Sequence, residues 1–528
     1  MPSPDSVAPP GDLNFAAHLL ARNAARAARP AYRDDARALT YGDLDERVRR
    51  FATALGDVGL QRGERVLLLA HDSVDWPVAF LGALYAGVVP VAVNTLLTAA
   101  DYAYMLAHSG ARAAIVSAAL LPVLHQAMTA GDHAVGTLVV IGPVAELPAG
   151  AHAFAALVAA APAATTAADT RADDVGFWLY SSGSTGKPKG TVHTHANLWW
   201  TDALYARSVL VLTEDDVVFS AAKLFFAYGL GNALTFPLSA GASVVLMAER
   251  PTPAAVFKRL TDARPTVFFG VPTLFAAMLA SPDLPARDHV ALRLAVSAGE
   301  ALPKELGERF AAHFGCDLLD GIGSTEMLHI FLSNRVGGVR YGTTGTPVAG
   351  YAIELRGEDG SPVADGVIGD LFVKGPSAAL MYWGNPEQTR ATFQDGWTKS
   401  GDKYIRDSDG FYVYSGRGDD MLKVSGQYVS PFEVEAALMG HPAVLEAAVI
   451  GRIDAEGLTR TKAFVVLKPG QAGGPVLEDA LKAFVKDKLA PFKYPRHIEF
   501  IAELPKTATG KIQRFRLRER EAAAGPHA

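Results

Sequence analysis

The chain contains a single cysteine, Cys316, among its 528 residues. One cysteine cannot form a disulfide framework or a cysteine-based zinc site. Cys316 lies in the apolar run from Phe314 to Leu318. We therefore predict a buried structural thiol rather than a nucleophile.

Long apolar runs and an excess of basic charge are also missing. The longest apolar stretches, such as residues 81–93, are too short and too often interrupted by glycine and proline to cross a bilayer. The first eleven residues are acidic and proline-rich, which does not fit a signal peptide. The net charge of −6 argues against nucleic-acid binding. We predict a cytoplasmic protein that binds neither membranes nor nucleic acid.

The length and the changing sequence pattern predict two domains. A chain of 528 residues is longer than one hydrophobic core usually serves. Up to about residue 270, short apolar strand patterns alternate with helical ones, which predicts parallel sheets flanked by helices in an α/β fold. After about residue 344, short segments between turns predict a β-rich subdomain. The last 110 or so residues predict a small α/β domain. We place an N-terminal domain at 1–418 and a C-terminal domain at 419–528.

Local signals predict individual elements within this frame. Thr40 is placed to cap a helix that begins at Tyr41, with Asp43 in its first turn. Residues 137–141 read as a buried strand and residues 431–439 as a helix. The alanine-rich stretch 145–170 predicts a surface helix followed by a linker.

A loop rich in glycine and serine follows the strand-like residues 175–179. Its sequence, residues 180–190, is Tyr-Ser-Ser-Gly-Ser-Thr-Gly-Lys-Pro-Lys-Gly. The glycines let backbone N–H groups approach an anion, and Lys187 and Lys189 add positive charge. A flexible surface loop is the alternative, but the lysines and the preceding strand favour a polyphosphate site.

This loop is not a Walker A motif. Ser181 stands where the motif requires its first glycine, and Pro188 follows Lys187 where a serine or threonine is required. A kinase or ATPase of the P-loop class is therefore disfavoured.

Four further clusters carry polar residues suited to a nucleotide. In residues 323–326, Thr325 offers a hydroxyl to a phosphate oxygen and Glu326 a carboxylate to Mg²⁺, although the same tetrapeptide alone would read as an ordinary turn. Asp402 lies at a Gly-Asp turn and suits a ribose diol. Residues 416–426 lie at the domain boundary, and residues 504–511 end in Gly-Lys.

In this order and spacing the five motifs identify a family. From about residue 40 to residue 514, the chain resembles the acyl- and aryl-adenylating enzymes: acyl-CoA synthetases, peptide-synthetase adenylation domains and luciferases. The resemblance implies a carboxylic acid that reacts with MgATP to give an acyl-adenylate and pyrophosphate, followed by attack of a thiol. An ATP sensor without catalysis is disfavoured because Thr325, Glu326, Asp402 and Lys511 are all present.

The resemblance also implies roles for individual residues in the first step. Lys511, Thr325 and Glu326 would be catalytic: Lys511 reaches the carboxylate and the bridging oxygen, Thr325 contacts the α-phosphate, and Glu326 ligates Mg²⁺. The ATP site would be completed by Ser181, Ser182, Gly183, Ser184, Thr185, Gly186, Lys187, Lys189, Gly299, Glu300, Asp402 and Arg417. The chain departs from the family at Ile322, where an aromatic residue usually stacks on adenine.

For the second step the resemblance implies a rotation of the C-terminal domain. Asp419 matches the hinge position, and Lys423, Ser425 and Gly426 would reach the site where the thiol attacks. Gly426 would line the pantetheine tunnel. We predict coenzyme A as the acceptor, since 528 residues leave no room for a carrier domain.

The acid is predicted from the motif at residues 222–231 and from the residues after Glu326. Phe226, Ala227 and Tyr228 match the family's pocket residues, and His329 and Ile330 would close the pocket. The rings of these residues suit a flat aromatic acid, and the side chains leave little room for a long acyl chain.

The segments at residues 223–232 and 323–330 look most like those of benzoate–CoA ligases. This resemblance implies a role in aromatic-compound catabolism. It also implies a monomer or a homodimer. A ligase for hydroxybenzoate or another small carboxylate is the alternative.

Overall fold

The computed structural model describes residues 7–181, 187–418, 420–424, 427–454, 459–489, 493–506 and 512–524. The helices in these ranges are α1 (Phe15–Arg22), α2 (Tyr41–Asp57), α3 (Asp75–Tyr85), α4 (Ala99–Ser109), α5 (Leu121–Ala130), α6 (Phe154–Ala160), α7 (His195–Thr201), α8 (Ala227–Leu230), α9 (Phe236–Ala240), α10 (Pro253–Asp262), α11 (Pro272–Ala280), α12 (Lys304–Phe314), α13 (Pro386–Thr392), α14 (Pro431–Met439), α15 (Pro475–Lys488) and α16 (Arg514–Ala524). Single turns of 3₁₀-helix occur at Ala24–Arg26, Ala118–Leu120 and Arg287–His289, and π-helices at Asp202–Leu210 and Gly231–Thr235.

The strands in the same ranges are β1 (Pro30–Arg33), β2 (Ala38–Thr40), β3 (Arg65–Leu69), β4 (Val89–Ala92), β5 (Ala113–Ser117), β6 (Thr137–Ile141), β7 (His152–Ala153), β8 (Val175–Ser181), β9 (Lys189–Thr194), β10 (Val217–Ser220), β11 (Ser243–Val245), β12 (Val267–Gly270), β13 (Leu294–Ala298), β14 (Asp317–Gly323), β15 (Ile330–Ser333), β16 (Thr346–Pro347), β17 (Ala352–Arg356), β18 (Gly369–Lys374), β19 (Met381–Tyr382), β20 (Phe393–Gln394), β21 (Trp397–Arg406), β22 (Tyr412–Arg417), β23 (Leu422–Val424), β24 (Gln427–Val429), β25 (Val444–Ile453), β26 (Thr459–Leu467) and β27 (His497–Phe500).

Two large sheets form the N-terminal part. The nine-stranded sheet has the order β16-β15-β14-β13-β12-β10-β11-β1-β2, and its strands from β14 to β1 run parallel. The eight-stranded sheet has the order β19-β9-β8-β4-β3-β5-β6-β7 and is parallel from β8 to β7. The predicted α/β fold with parallel sheets is confirmed.

Helix α3 helps to hold the two sheets together. All of its residues are buried, which suits a helix that is apolar on every side. Its Trp76 and Phe80 share one apolar cluster with Leu68 of β3 and Val244 of β11. The cluster thus joins strands of both sheets into one core.

The remaining strands form the predicted β-rich subdomain and C-terminal α/β unit. Strands β17, β18, β21 and β20 form a sheet in that order, and β22 pairs with β21. Strands β25, β26 and β27 form a separate sheet, with α14 packed on β25. The Tyr414 ring meets the Phe432 ring edge-on at 5.5 Å, so β22 and α14 are in contact.

Several local predictions can be compared directly with the structure. Thr40 and Asp43 form the two reciprocal hydrogen bonds of a capping box at the start of α2. Cys316 is buried, and burial raises the pKa of its thiol to about 12, which disfavours the thiolate. The prediction of a surface helix in the alanine-rich stretch is confirmed by α6, which is seven residues long. This helix exposes Ala155, Ala156, Ala159 and Ala160 and buries Phe154 and Val158.

Within the described ranges, no helix is both long and apolar enough to cross a membrane.

Candidate active site

The predicted nucleotide residues lie at one edge of the nine-stranded sheet. Strands β13 and β14 are parallel neighbours, so their carboxyl ends lie side by side. Gly299 follows β13 with a φ of +89°, in the left-handed region that favours glycine. Thr325 and Glu326 follow β14. The structure therefore brings these motifs to the same end of the sheet.

The other large sheet reaches the same place through His193 on β9. Its Nε2 lies 2.8 Å from the carbonyl oxygen of Thr325, which can only accept a hydrogen bond. Nε2 therefore carries the proton. Burial lowers the pKa of His193 to about 4, so the ring is neutral near pH 7. Nothing in the local sequence predicted a role for His193, because a buried histidine in a strand carries no motif.

Tyr382 links two residues that the sequence did predict. Its hydroxyl donates to Oε1 of Glu326 at 2.6 Å, and Nζ of Lys189 donates to the same hydroxyl oxygen at 3.1 Å. Nζ of Lys189 lies 3.8 Å from Oε1 of Glu326 and 4.2 Å from the centroid of the Tyr382 ring. Tyr382 lies on a two-residue strand far along the chain, and nothing in its local sequence pointed to this contact.

The ammonium group of Lys189 is largely buried. Burial lowers the pKa of its ammonium group, Glu326 opposes this effect, and Arg417 adds to it. Arg417 therefore lies within electrostatic range of Lys189. Two cations of this kind suit an anionic ligand with several negative charges.

Asp402 and Arg417 are paired across strands β21 and β22. They are register partners, and the closest nitrogen and oxygen of their side chains are 3.7 Å apart. Asp402 is buried, and Gly401 before it has a φ of +82°. The structure thus places the predicted ribose residue, Asp402, beside Arg417, another residue predicted for the ATP site.

Glu300 has a structural partner. One carboxylate oxygen accepts hydrogen bonds from the hydroxyl of Thr273 at 2.7 Å and from its backbone N–H at 3.2 Å. This carboxylate therefore caps the start of α11. Its contact with adenine stays a prediction.

The predicted acid pocket begins at helix α8. Phe226 is the residue before the helix, and Ala227 and Tyr228 are its first two residues. Tyr228 donates a hydrogen bond from its hydroxyl to the carbonyl oxygen of Val296 on β13, at 3.0 Å. The pocket motif is therefore anchored to the same strand that precedes Gly299.

His329 forms the centre of an aromatic group next to α8. Its ring centroid lies 4.5 Å from that of Phe236, 5.3 Å from that of Tyr205 and 5.6 Å from that of Tyr228. Ile330 is buried in the adjacent apolar cluster. The structure therefore brings the two predicted halves of the pocket, residues 226–228 and 329–330, together.

Asn232 fixes the orientation of His329. Nε2 of His329 lies 3.1 Å from Oδ1 of Asn232 and 3.3 Å from the carbonyl oxygen of Tyr228, both of which accept hydrogen bonds. Burial lowers the pKa of His329 to about 3, so the imidazole is neutral. Asn232 was missed by sequence reasoning, since its side chain points to no chemistry until the fold places it against His329.

Several predicted residues lie outside the described residues or are described only in part. Outside them are Ser182, Gly183, Ser184, Thr185, Gly186, Asp419, Ser425, Gly426 and Lys511. Lys187 is described, with Nζ 5.4 Å from the centroid of the Tyr104 ring. Ser181 is the register partner of Lys189. Lys423 lies on β23, which pairs with β24.

The donor set at Glu326 fits one kind of metal site. Among the described residues there is no group of three or more His, Cys, Asp or Glu side chains that could hold an ion. Mg²⁺ is often bound by one or two carboxylates together with substrate phosphates. The Glu326 carboxylate beside the predicted phosphate site fits that pattern.

Family models match both parts of the chain. Residues 20–383 match the AMP-binding enzyme family, and residues 433–511 match the C-terminal domain of AMP-binding enzymes. The chain belongs to the AMP-binding enzyme family.

Individual relatives match almost the whole length. The chain is 57% identical over 520 residues to a benzoate–CoA ligase of Thauera aromatica, covering 98% of each chain. It is 61% identical to a benzoate–CoA ligase of Burkholderia xenovorans of known structure, with a TM-score of 0.90 and coverage of 96% and 100%. It is also similar to the anthranilate–CoA ligase AuaEII, solved with anthranoyl-AMP, at 40% identity, 99% coverage of each chain and a TM-score of 0.94.

Proposed function

We propose that this chain is an ATP-dependent benzoate–CoA ligase. Benzoate and ATP give benzoyl-AMP and pyrophosphate, and the CoA thiol then displaces AMP to give benzoyl-CoA. One observation carries the proposal: Glu326, at the phosphate site, and His329, in the aromatic pocket, are three residues apart on one loop. An acid in the pocket would thus lie next to the phosphates of ATP. Similarity to benzoate–CoA ligases over nearly the full chain supports the same activity.

The acid is selected by the size of the pocket. Phe226, Tyr228 and His329 offer flat apolar faces, and Ala227 leaves room for an unsubstituted ring. The neutral His329 adds no charge at the ring end. These features favour benzoate over a long acyl chain.

The phosphates of ATP are held by the cations of the site. Lys189 and Arg417 stabilise the β- and γ-phosphates, Thr325 contacts the α-phosphate, and Asp402 accepts hydrogen bonds from the ribose hydroxyls. Mg²⁺, when bound by Glu326, supplies charge neutralisation on the phosphate oxygens. Lys511 approaches the carboxylate and the bridging oxygen, where negative charge develops in the transition state.

The second step uses a different face of the C-terminal domain. We place the domain boundary at residues 418 and 419, with Asp419 as the hinge; the separate family matches on either side support a division in this region. Rotation about the hinge withdraws Lys511 and brings Lys423, Ser425 and Gly426 to the adenylate. The single cysteine fits a cytoplasmic location.

The direct test is AMP release from ATP in the presence of benzoate, with and without CoA. Salicylate, 4-hydroxybenzoate and hexanoate serve as competing acids. CoA-dependent AMP release that is fastest with benzoate supports the proposal. Faster turnover of another acid would keep the reaction and refute the pocket assignment, and ADP in place of AMP would refute the reaction itself.

Lys511→Ala separates the two steps. The variant should lose roughly 10²–10³-fold in adenylate formation, because a positioned cation is removed from the developing charge. It should still convert supplied benzoyl-AMP and CoA to benzoyl-CoA. Lys488→Ala, in the same domain on α15, is the control and should retain both steps. Equal losses in both assays of Lys511→Ala would exclude the withdrawal of Lys511 between steps.

A further inference from the structure

We propose that Tyr382 is a positioning residue that keeps Lys189 and Glu326 apart, so that Glu326 stays available to Mg²⁺. The inference rests on the proposed role of Glu326 as the metal ligand. Tyr382 itself belongs to none of the motifs that identify the nucleotide site.

The chemistry of the three groups fixes the direction of both hydrogen bonds. The ammonium of Lys189 can only donate, and the ionised carboxylate of Glu326 can only accept. The single O–H of Tyr382 therefore points to Glu326 at 2.6 Å, and its oxygen accepts from Lys189 at 3.1 Å. The order is lysine to tyrosine to glutamate, with no alternative arrangement of the protons.

The Tyr382 side chain is held firmly in this position. It is 2% exposed. Its backbone N–H donates to the hydroxyl of Thr389 at 3.1 Å, and its ring packs 5.6 Å from that of Phe393. A buried ring that packs against Phe393 can set the distance between two flexible side chains.

The backbone around Tyr382 connects the same two motifs. Ala379 N–H donates to the Glu326 carbonyl at 2.7 Å, and Trp383 N–H donates to the Gly190 carbonyl at 2.8 Å. Strand β19 pairs with β9, which begins at Lys189. The segment 379–383 thus spans the gap between the phosphate loop and the metal-binding turn.

Removal of the hydroxyl would change the electrostatics of Glu326. Lys189 Nζ is already 3.8 Å from Glu326 Oε1. Both side chains are mostly buried, so their attraction is weakly screened. Without the intervening O–H, the ammonium would move onto the carboxylate and neutralise the charge that Mg²⁺ requires. Loss of an orienting partner of a metal ligand typically costs 10–100-fold in metal affinity.

The test is Tyr382→Phe, which keeps the ring and removes only the hydroxyl. The dissociation constant of ATP is measured by calorimetry over a series of free Mg²⁺ concentrations. We expect the half-saturating Mg²⁺ concentration to rise roughly tenfold. In EDTA, ATP binding should weaken by a smaller factor than the rise in half-saturating Mg²⁺, because only the position of Lys189 matters there. Benzoyl-CoA formation from supplied benzoyl-AMP should change by less than about twofold.

Tyr41→Phe is the matched control. Tyr41 is also buried, and its hydroxyl donates to the Ala242 carbonyl at 2.7 Å in a different part of the fold. It should leave the Mg²⁺ dependence at the wild-type value. An unchanged Mg²⁺ dependence in Tyr382→Phe, or an equal shift in Tyr41→Phe, would overturn the proposal.

Lys189→Met provides a second test that does not depend on how well Tyr382→Phe folds. This variant lacks the ammonium group, so ATP should bind more weakly. Tyr382 still holds Glu326, so the half-saturating Mg²⁺ concentration should be unchanged or lower. In the Tyr382→Phe/Lys189→Met double variant the competing ammonium is absent. The half-saturating Mg²⁺ concentration should therefore return at least halfway, on a logarithmic scale, from the Tyr382→Phe value to the wild-type value. A higher half-saturating Mg²⁺ concentration in Lys189→Met alone would contradict the positioning role of Tyr382.

The readout is equilibrium binding, so it is independent of the acid substrate. If wild-type protein released no AMP with any aryl acid, the benzoate–CoA ligase proposal would fail. The Mg²⁺ dependence of ATP binding would still decide the role of Tyr382.

Discussion

Gly231 is a residue at which a single methyl group would disturb the predicted acid pocket. A Cβ there would lie 2.4 Å from Cδ2 and 2.7 Å from Nε2 of His329, and 2.8 Å from Cζ of Phe236. Real Cβ atoms do not approach other atoms so closely. One of the two rings would have to move, and both are buried among aromatic neighbours.

Gly231→Ala should therefore weaken acid binding selectively. Overpacking a filled site costs about 1–3 kcal/mol, and 1.4 kcal/mol corresponds to a factor of about ten. We expect KM for benzoate to rise roughly tenfold while KM for ATP stays within about twofold. Gly136→Ala is the control, because a Cβ there has no atom within 4 Å. Parallel increases in both KM values would indicate a general loss of structure instead.

At the residue scale, the residues that belong to motifs could be predicted from the sequence. The residues that hold those side chains in place through hydrogen bonds could not. Lys189, Glu326 and Asp402 stand in short strings whose composition already suits a nucleotide. Tyr382 and Asn232 act through contacts with residues far away in the sequence. Such contacts depend on how the chain packs, which no local pattern encodes.

At the scale of elements, the residues between β23 and β24 in the sequence are those predicted to act in the second reaction step. The two strands pair with Val424 opposite Gln427, and Ser425 and Gly426 lie between them in the sequence, outside the described residues. The predicted tunnel role of Gly426 assigns these two residues to the thiol.

Gly426→Leu should block the second step only. A bulky side chain at the predicted tunnel wall would obstruct the pantetheine arm, while pyrophosphate release with benzoate should continue. Both products are measured on the same sample, and we expect thioester formation to fall at least tenfold. Gly474→Leu, in the C-terminal part where a Cβ meets open space, should retain both activities. Wild-type thioester yield in Gly426→Leu would reject the tunnel assignment.

Elements were predictable where a local signal and the tertiary environment agree. The bounds of β6 and α14 match the prediction, since an apolar run and a Ser-Pro start mark them clearly. The π-helices at Asp202–Leu210 and Gly231–Thr235 were not predicted, because one extra residue per turn leaves a pattern close to that of an α-helix. Strand β19 is two residues long and exists only through its pairing with β9.

At the scale of the whole molecule, buried histidines link folding to pH. Burial lowers the pKa of His193 and of His195 to about 4 and that of His329 to about 3, against 6.5 for the free side chain. Between these values the unfolded chain binds more protons, so stability falls as the pH falls below about 6.5. Asp72, whose pKa burial raises to about 6, acts in the opposite direction below that pH, as does Asp320.

His195→Gln should reduce this pH dependence. His195 accepts a hydrogen bond from the Phe15 N–H at its Nδ1, which requires an unprotonated nitrogen. As the pH falls from about 6.5 to about 5, this histidine becomes protonated in the unfolded chain but not in the folded one. Its protonation should lower the unfolding free energy of the wild type by about 2 kcal/mol. Chemical denaturation at about pH 7.5 and about pH 5 measures the loss, which should be smaller by that amount in the variant. The exposed His125→Gln should behave as wild type; an unchanged loss in His195→Gln would rule out its contribution.

The hydrogen bond between Lys189 and Tyr382 joins residues that are 193 positions apart. During synthesis at about 5–20 residues per second, the lysine precedes the tyrosine by roughly 10–40 s. Lys189 and Glu326 are therefore both synthesised before Tyr382. The nucleotide site is completed late in translation, and a nascent chain that ends before Tyr382 has both charged groups but not the hydroxyl between them.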